Sequence, residues 1–296
     1  MITGVLFGFF AAFFQSGSYL FSKRYVARFE QSAFGLLAAG HCIMGVFAAA
    51  LLLFFFPRTM PPVSSFAVPL VCGVAMYLAG QTALFFCLRC ADASRVSPLL
   101  GLKIIVLAAI SITILGKHFG ALQWTGIGLT LYAAYLLGSS GLGLDLGAWA
   151  YVAAACLFYS VSDLCMKELI NRFSYLGLFS ACVVSACFSY VLAGVAAIAL
   201  LPFVKSQSSA RWKAALPFAA FWFVGILFLF GCFASIGVVF GNIVQSTRGI
   251  LSLAMGWAVA RRGHEHIEEK IPGRVFGVRV AAGSLMMAAI ALFYLG

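Results

Sequence analysis

Two positively charged side chains lie far inside long apolar stretches of the sequence. Lys103 comes eight residues after Arg95 and fourteen before Lys117. Arg248 comes thirteen residues before Arg261. A cation at the centre of a membrane-spanning helix costs ~2.5 to 3.5 kcal/mol on insertion scales and is tolerated only beside a partner or water. In a shared cavity the two would favour a carboxylate or phosphate, to which Arg offers a two-pronged contact and Lys a point charge.

A structural role is the alternative for each cation. The flexible stem of Lys103 could carry its ammonium group to the membrane surface, and Arg248 could contact backbone carbonyls. The helical spacing of nearby polar residues favours a cavity, since Asn242, Gln245 and Arg248 share one half of a helix circumference. The predicted binding residues, besides the two cations, are Gln15, Tyr19, Gln81, Tyr159, Asn242 and Gln245. Serines on the same faces are interpreted as helix-packing contacts.

Two titratable residues are candidates for coupling transport to a gradient. Asp163 lies near a span interior. It could form an i, i+4 ion pair with Lys167 at the membrane interface, or act in proton coupling or as a counter-charge opposite Arg248. His41 lies in the middle of the second apolar stretch, and a histidine titrates near neutral pH. A lone helical histidine is also typical of a satisfied core residue.

Residues for metal or cofactor chemistry lack the required spacing. Cys87 and Cys90 form a C-x-x-C pair with no second pair to complete a zinc site. The run from His264 to His266 does not follow the H-E-x-x-H pattern. No catalytic residue, metal site or cofactor is expected, and no phosphate-binding glycine motif supports ATP drive. Only eight acidic residues are present, which is few for an enzyme.

The composition places these residues in a membrane. The 296 residues are 64% hydrophobic and 9% charged, with a mean hydropathy of +1.07. Soluble domains carry about 25% charged residues. The predicted fold is an all-α polytopic membrane protein with ten transmembrane helices. The spans are expected at 4–22, 34–56, 66–88, 96–115, 121–138, 147–166, 175–201, 214–235, 238–260 and 275–295.

The charge distribution predicts the topology. Ten spans place both termini on one side, and of the 19 Lys and Arg residues 13 fall on the opposite side, four on the terminal side and two inside spans. The positive-inside rule then places both termini outside the cytoplasm in the inner membrane. The net charge of +11 is explained by this topology, and no nucleic-acid partner is expected.

The two halves of the chain are similar to each other. With a shift of 144 residues, eight of the nineteen positions 11–29 are identical to those at 155–173. Because each half holds five spans, the second copy must be inverted, as in carriers whose halves rock about a central site. Residues 1–140 and 141–296 are therefore predicted to be two inverted five-helix repeats. Shifts of 144 or 145 match Gln15 with Tyr159, Ser16 with Ser160, Lys23 with Lys167, Gly80 with Gly225 and Lys103 with Arg248.

Short runs resemble a known family. They are Ala-Asp-Ala-Ser-Arg-Val-Ser-Pro-Leu at 91–99, Ile-Leu-Gly-Lys at 114–117, Gln-Trp-Thr-Gly at 123–126 and Ser-Thr-Arg-Gly-Ile-Leu-Ser at 246–252. These runs resemble EamA-type permeases of the drug/metabolite transporter superfamily. The resemblance implies a ten-helix carrier that commonly exports its solute. Lys117 stands where many members have Glu, and Lys103-Ile104 stand near a common Pro, so the role of that Glu is not carried over.

The sequence thus predicts a secondary active transporter that exports a small polar or amphipathic metabolite by alternating access. An anionic or zwitterionic solute, such as an amino acid or organic acid, is favoured by the buried cations. Expected partners are this solute, protons or a counter-solute, and the lipid bilayer; the oligomeric state is not predicted. The alternatives are a flippase for a lipid-linked phosphate, which would use the same cations, and a membrane-embedded enzyme.

Overall fold

The computed structural model describes most of the chain. The described residues are 1–29, 33–91, 96–97, 99–114, 116, 118–139, 145–204, 208–261 and 273–296. All regular secondary structure within them is helical. Lys117, much of the run at 91–99 and the cluster from His264 to His266 lie outside the described residues.

The described residues form eleven α-helices. In chain order they are α1 (Ile2–Arg28), α2 (Ala33–Phe55), α3 (Val63–Cys90), α4 (Lys103–Thr113), α5 (Ala121–Ser139), α6 (Leu146–Arg172), α7 (Leu178–Leu200), α8 (Ser209–Ile236), α9 (Val238–Gln245), α10 (Arg248–Arg261) and α11 (Gly273–Leu295). Seven of them, α1 to α3, α6 to α8 and α11, are each long and apolar enough to cross a membrane. The predicted all-α polytopic membrane fold is confirmed.

The two spans that carry the buried cations, predicted at 96–115 and 238–260, are each interrupted. A 3₁₀ turn, Leu100–Leu102, precedes α4, and Ser246 and Thr247 separate α9 from α10. The hydroxyls of Ser246 and Thr247 bond back to carbonyls three residues earlier, at 2.6 and 2.8 Å. Such hydroxyls compete with the regular helix ladder. The break makes Lys103 and Arg248 the first residues of α4 and α10.

The amide hydrogen bonds at the second break show its local geometry. The N–H groups of Thr247, Gly249 and Ile250 each donate to a carbonyl three residues earlier, at 3.0 to 3.2 Å. This is the tighter 3₁₀ pattern, which commonly marks a functional hinge. Because the amino end of a helix carries partial positive charge, a cation there requires acceptors close by.

The helices pack in four extensive pairs. These pairs are α1 with α8, α2 with α7, α3 with α6, and α5 with α11. The α2–α7 crossing is close enough for backbone contact, since a Cβ atom on Gly194 would lie 2.9 Å from the Cα atom of Gly45. Small residues at such crossings let membrane helices approach closely.

Gly194→Ala is expected to lower the stability of the α2–α7 crossing. The added methyl group meets backbone rather than a flexible side chain, and overpacking of this kind costs about 1 to 3 kcal/mol. Gly128→Ala is the matched control, because a Cβ atom there has no neighbour within 4 Å. Thermal unfolding of the purified protein in detergent measures both variants. Equal melting temperatures for the two would show that the crossing is not tightly packed.

Candidate functional site

A central cavity lies between helices from both halves of the chain. Its cavity volume is about 40 Å³. Among the residues that line it are seven of the ten predicted site residues: Gln15, Tyr19, Lys103, Tyr159, Asp163, Gln245 and Arg248. The structure therefore brings together side chains from α1, α4, α6, α9 and α10 that are up to 233 positions apart.

Lys103 is held in an ion pair inside the protein. Its Nζ atom donates to Asp163 Oδ2 at 2.9 Å and makes a longer contact to Gln245 Oε1 at 3.5 Å. The alternative in which Lys103 extends to the membrane surface is wrong, because the residue is only 4% exposed. The pair also corrects the expected counter-charge of Asp163, which is Lys103 rather than Lys167 or Arg248.

Asn242 completes the surroundings of the carboxylate. Its Nδ2 atom donates to Asp163 Oδ2 at 2.9 Å and to the Val238 carbonyl at 3.0 Å. Asn242 is not among the residues that line the cavity. The predicted residue thus contacts Asp163 from outside the cavity, and Asp163 Oδ2 accepts hydrogen bonds from α4 and α9 at once.

Arg248 is buried without an ion pair within the described part of the chain. Its Nη1 atom lies 3.3 Å from Gln15 Oε1, 3.4 Å from the Tyr19 hydroxyl and 3.4 Å from Gln245 Oε1. All three contacts are longer than the usual 2.7 to 3.2 Å range. Its Nε atom has no hydrogen-bond partner among the described residues. In the structural alternative, Arg248 would contact backbone carbonyls. Among the described residues its guanidinium group contacts side chains instead.

The formal charges of the cavity follow from these contacts. Lys103 and Asp163 offset each other, which leaves Arg248 as an uncompensated positive charge among the described lining residues. Each cation also lies near an aromatic ring. Lys103 Nζ is 5.9 Å from the ring centroid of Tyr159, and Arg248 Cζ is 5.9 Å from that of Tyr19. The site is therefore suited to a ligand with an anionic group.

Two serines hold the first residues of α4 and α10. Ser16 Oγ lies 2.7 Å from the carbonyl oxygen of Ala12 in its own helix and 3.1 Å from that of Arg248. Ser160 Oγ lies 2.7 Å from the carbonyl oxygen of Cys156 in its own helix and 3.2 Å from that of Lys103. Both hydroxyls thus connect a neighbouring helix to the broken span beside it.

Gln81 and His41 lie behind the cavity wall and not on it. The Tyr159 hydroxyl donates to Gln81 Oε1 at 2.8 Å, and Gln81 Nε2 donates to the Tyr77 hydroxyl oxygen at 3.0 Å. The Tyr77 hydroxyl lies 3.0 Å from His41 Nε2, and His41 Nδ1 lies 2.7 Å from the Leu37 carbonyl. We assign the proton to Nδ1, since a carbonyl only accepts, so Nε2 accepts from Tyr77.

Four aromatic residues of the wall, Tyr77, Tyr190, Trp222 and Phe230, were not predicted from the sequence. Tyr77, Tyr190 and Trp222 line the cavity, and Trp222 Nε1 donates to the Tyr190 hydroxyl at 2.7 Å. The ring centroids of Tyr77 and Trp222 are 6.1 Å apart. A signal was present for two of them, because the 145-residue shift that matches Lys103 with Arg248 also matches Tyr77 with Trp222.

Comparison with known proteins identifies a transporter family that part of the chain resembles. Residues 2–139 match the model of the EamA-like transporter family. This match confirms the resemblance drawn from the short motifs in the first half of the chain, and it points to a membrane transporter.

Solved structures support the fold. Twenty-eight chains of solved structures match. One of them, described as "Crystal structure of protein", is 18% identical with a TM-score of 0.65, and the match covers all of this chain and 97% of that one. No curated protein sequence matches the chain. At 18% identity the structural similarity shows the fold alone.

Proposed function

We propose that the protein is a secondary active transporter that exports a small anionic or zwitterionic metabolite, such as an amino acid or organic acid. The solute binds in the central cavity, and two inverted five-helix halves, residues 1–140 and 141–296, rock about it. The observation that carries this proposal is Arg248, buried in the cavity with long contacts and no ion pair in the described chain.

Matched contacts support the inverted repeat. The contact of Ser16 with the Arg248 carbonyl has its counterpart in that of Ser160 with the Lys103 carbonyl. Both pairs of residues correspond under the sequence shifts of 144 and 145. A pseudo-twofold axis that exchanges the halves would produce such repeated geometry.

A second set of contacts is similar in the two halves of the chain. Lys23 Nζ donates to the Ala91 carbonyl at the end of α3, and Lys167 Nζ donates to the Ala234 carbonyl near the end of α8. The glycines behave alike: a Cβ atom on Gly80 would meet the Tyr159 ring at 2.8 Å, and one on Gly225 would meet Gln15 Cγ at 3.1 Å. Under the two shifts Lys23 corresponds to Lys167, Gly80 to Gly225 and Gln15 to Tyr159, whereas Ala91 and Ala234 are 143 residues apart and share only a position at or near the end of a helix. The helix pairs α1–α8 and α3–α6 exchange under the same operation.

The charge of the cavity supports an anionic or zwitterionic solute. A carboxylate beside Arg248 would gain a charge-assisted, two-pronged hydrogen bond in place of the present long contacts. The aromatic wall of Tyr77, Tyr190 and Trp222 would cover the apolar part of the same solute. In a zwitterion, an ammonium group would find Asp163 on the same cavity surface.

Asp163 is better placed than His41 to couple transport to a proton gradient. Asp163 lines the cavity, and a proton on its carboxylate would remove the counter-charge of Lys103. His41 is fully buried, and both of its ring nitrogens are within hydrogen-bond distance of Leu37 or Tyr77. We therefore propose Asp163 as the coupling residue and assign His41 the role of holding Tyr77 in the wall.

Solute counterflow in proteoliposomes tests the transporter proposal. Purified protein is reconstituted in vesicles loaded with one amino acid or organic acid, and uptake of the labelled solute is followed. We expect counterflow for an anionic or zwitterionic solute, no chemical change of the solute and no scrambling of labelled lipid. Scrambling without counterflow would favour the flippase, and conversion of the solute would favour the enzyme.

Lys103→Ala is expected to weaken the binding of an anionic solute more than the binding of a cationic one. The substitution leaves the Asp163 carboxylate without its counter-charge and lowers the formal charge of the cavity from positive to neutral. We expect at least about tenfold weaker apparent affinity for the anion, the effect of a ~1.4 kcal/mol change. Competition in the counterflow assay measures both affinities, with the exposed Arg58→Ala as control. Equal losses for both solutes would contradict a charge-selective role.

A further inference from the structure

A second cleft lies at one end of the helix bundle, between the end of α1 and the start of α8. Its cavity volume is about 380 Å³, and it shares no lining residue with the central cavity. Three basic side chains line it, Arg24 and Arg28 from α1 and Lys213 from α8. Phe21 and Pro217 supply an apolar portion of the wall on the side toward the helix centres.

The depth of this cleft matches the headgroup region of a bilayer. The 27 residues of α1 and the 28 residues of α8 extend over roughly 40 Å at ~1.5 Å per residue, whereas the hydrocarbon core is ~30 Å thick. An untilted helix of this length, centred in the bilayer, extends about 5 Å beyond the hydrocarbon at each end. Arg24 and Arg28 lie in the last two turns of α1, and Lys213 lies in the second turn of α8.

The polar groups of the cleft have unused hydrogen-bonding capacity. Within the part of the chain that the structure describes, Arg24, Arg28 and Lys213 form no ion pair. Tyr25 also lines the cleft, is only 1% exposed, and its hydroxyl has no hydrogen-bond partner among the described residues. A buried hydroxyl without a partner costs free energy, so its retention points to a bound acceptor.

We propose that this cleft binds the phosphate headgroup of an anionic phospholipid. The phosphate would accept hydrogen bonds from the three basic side chains and from the Tyr25 hydroxyl, and its acyl chains would follow the apolar surface beside Phe21. Basic pockets between membrane helices at the cytoplasmic side are suited to anionic lipid headgroups. Because α1 and α8 belong to different halves of the chain, the bound lipid bridges the two halves.

Lipid-dependent thermal unfolding tests this site. The purified full-length protein in detergent is titrated with phosphatidylglycerol, with phosphatidylcholine of the same acyl chains, and with glycerol 3-phosphate. We expect phosphatidylglycerol to raise the melting temperature in a saturable manner, while the other two leave it unchanged. Stabilisation by glycerol 3-phosphate alone would show a site for a free phosphate and would overturn the lipid assignment.

Variants locate the effect in the cleft. In the triple variant Arg24→Gln, Arg28→Gln and Lys213→Gln, we expect at least about tenfold weaker apparent affinity for phosphatidylglycerol. Tyr25→Phe should weaken it by a smaller factor while preserving the melting temperature without lipid. Arg58→Gln, an exposed basic residue outside the cleft, is the matched control. If the triple variant binds phosphatidylglycerol with the same affinity as Arg58→Gln, the site lies elsewhere. Native mass spectrometry measures the bound lipid directly, so the comparison holds even if the triple variant is less stable.

Discussion

Arg248→Ala abolishes counterflow while the protein still reaches the membrane: this is the expected result for the residue that binds the anionic group of the solute. Loss of a two-pronged, charge-assisted contact is expected to lower transport by at least about 100-fold. Folding should tolerate the change, because removing an unpaired cation from a membrane interior removes an insertion cost of ~2.5 to 3.5 kcal/mol. Gln245 Nε2 already donates to Gln15 Oε1 at 2.9 Å, so those two amides remain partnered.

Two further variants separate the charge of Arg248 from its shape. Arg248→Lys keeps the charge but loses the planar fork, and we expect partial transport with a raised KM. Arg58→Ala changes an exposed cation and should leave counterflow as in the unmodified protein. Normal counterflow by purified, folded Arg248→Ala would show that the solute does not use this cation.

Asp163→Asn is expected to separate exchange from gradient-driven transport. The asparagine still accepts a hydrogen bond from Lys103, so the cavity keeps its shape, but it takes up no proton in the working pH range. Counterflow should continue, whereas an imposed pH gradient should no longer drive net accumulation. Paired measurements of counterflow and pH-driven flux on the same vesicles test this, and an unchanged pH dependence would remove Asp163 from the coupling mechanism.

The direction of coupling depends on the solute, and the charges give the sign. Protonation of Asp163 leaves Lys103 and Arg248 both uncompensated, which favours binding of a simple anion, so anion and proton would move together. A zwitterion whose ammonium binds Asp163 would instead compete with the proton, which is the condition for export in exchange for protons. Proton-driven export therefore predicts that low pH weakens binding of a zwitterion. Stronger binding of a simple anion at low pH would instead indicate that the anion moves in the same direction as the proton.

The stability of Asp163→Asn needs its own control. Removing one partner of a buried ion pair costs about 3 to 5 kcal/mol, because the remaining charge is left uncompensated. The double variant Lys103→Gln, Asp163→Asn removes both charges. It is expected to recover much of the lost stability but not the gradient-driven flux, which distinguishes coupling from folding.

Much of the fold was predictable because the length of each apolar stretch and the positions of charged residues can be read directly from the sequence. Lys103 and Arg248 are predictable as site residues because charges are rare inside spans, and the internal shift matches one with the other. Their placement on one cavity followed from that match. The polar partners Gln15, Tyr19 and Gln245 were found by helical spacing alone.

Other features could not be predicted, because they depend on contacts between distant helices. Ser246 and Thr247 form the break in the ninth span through hydroxyl bonds that apolar periodicity does not report. The Lys103–Asp163 pair joins α4 to α6, whereas sequence spacing offered only the nearby Lys167. The residues of the aromatic wall could not be distinguished by type, because aromatic residues are abundant throughout the sequence and Phe alone accounts for 30.

Sided labelling of Val74→Cys in a cysteine-free background tests the central claim most directly. Val74 lines the cavity and is 3% exposed, and its substitution removes no polar contact. We predict that a membrane-impermeant maleimide reaches this position from either side of the membrane, and that bound solute slows labelling from both. Labelling from one side alone under every solute and pH condition would contradict two halves that alternate about a shared cavity.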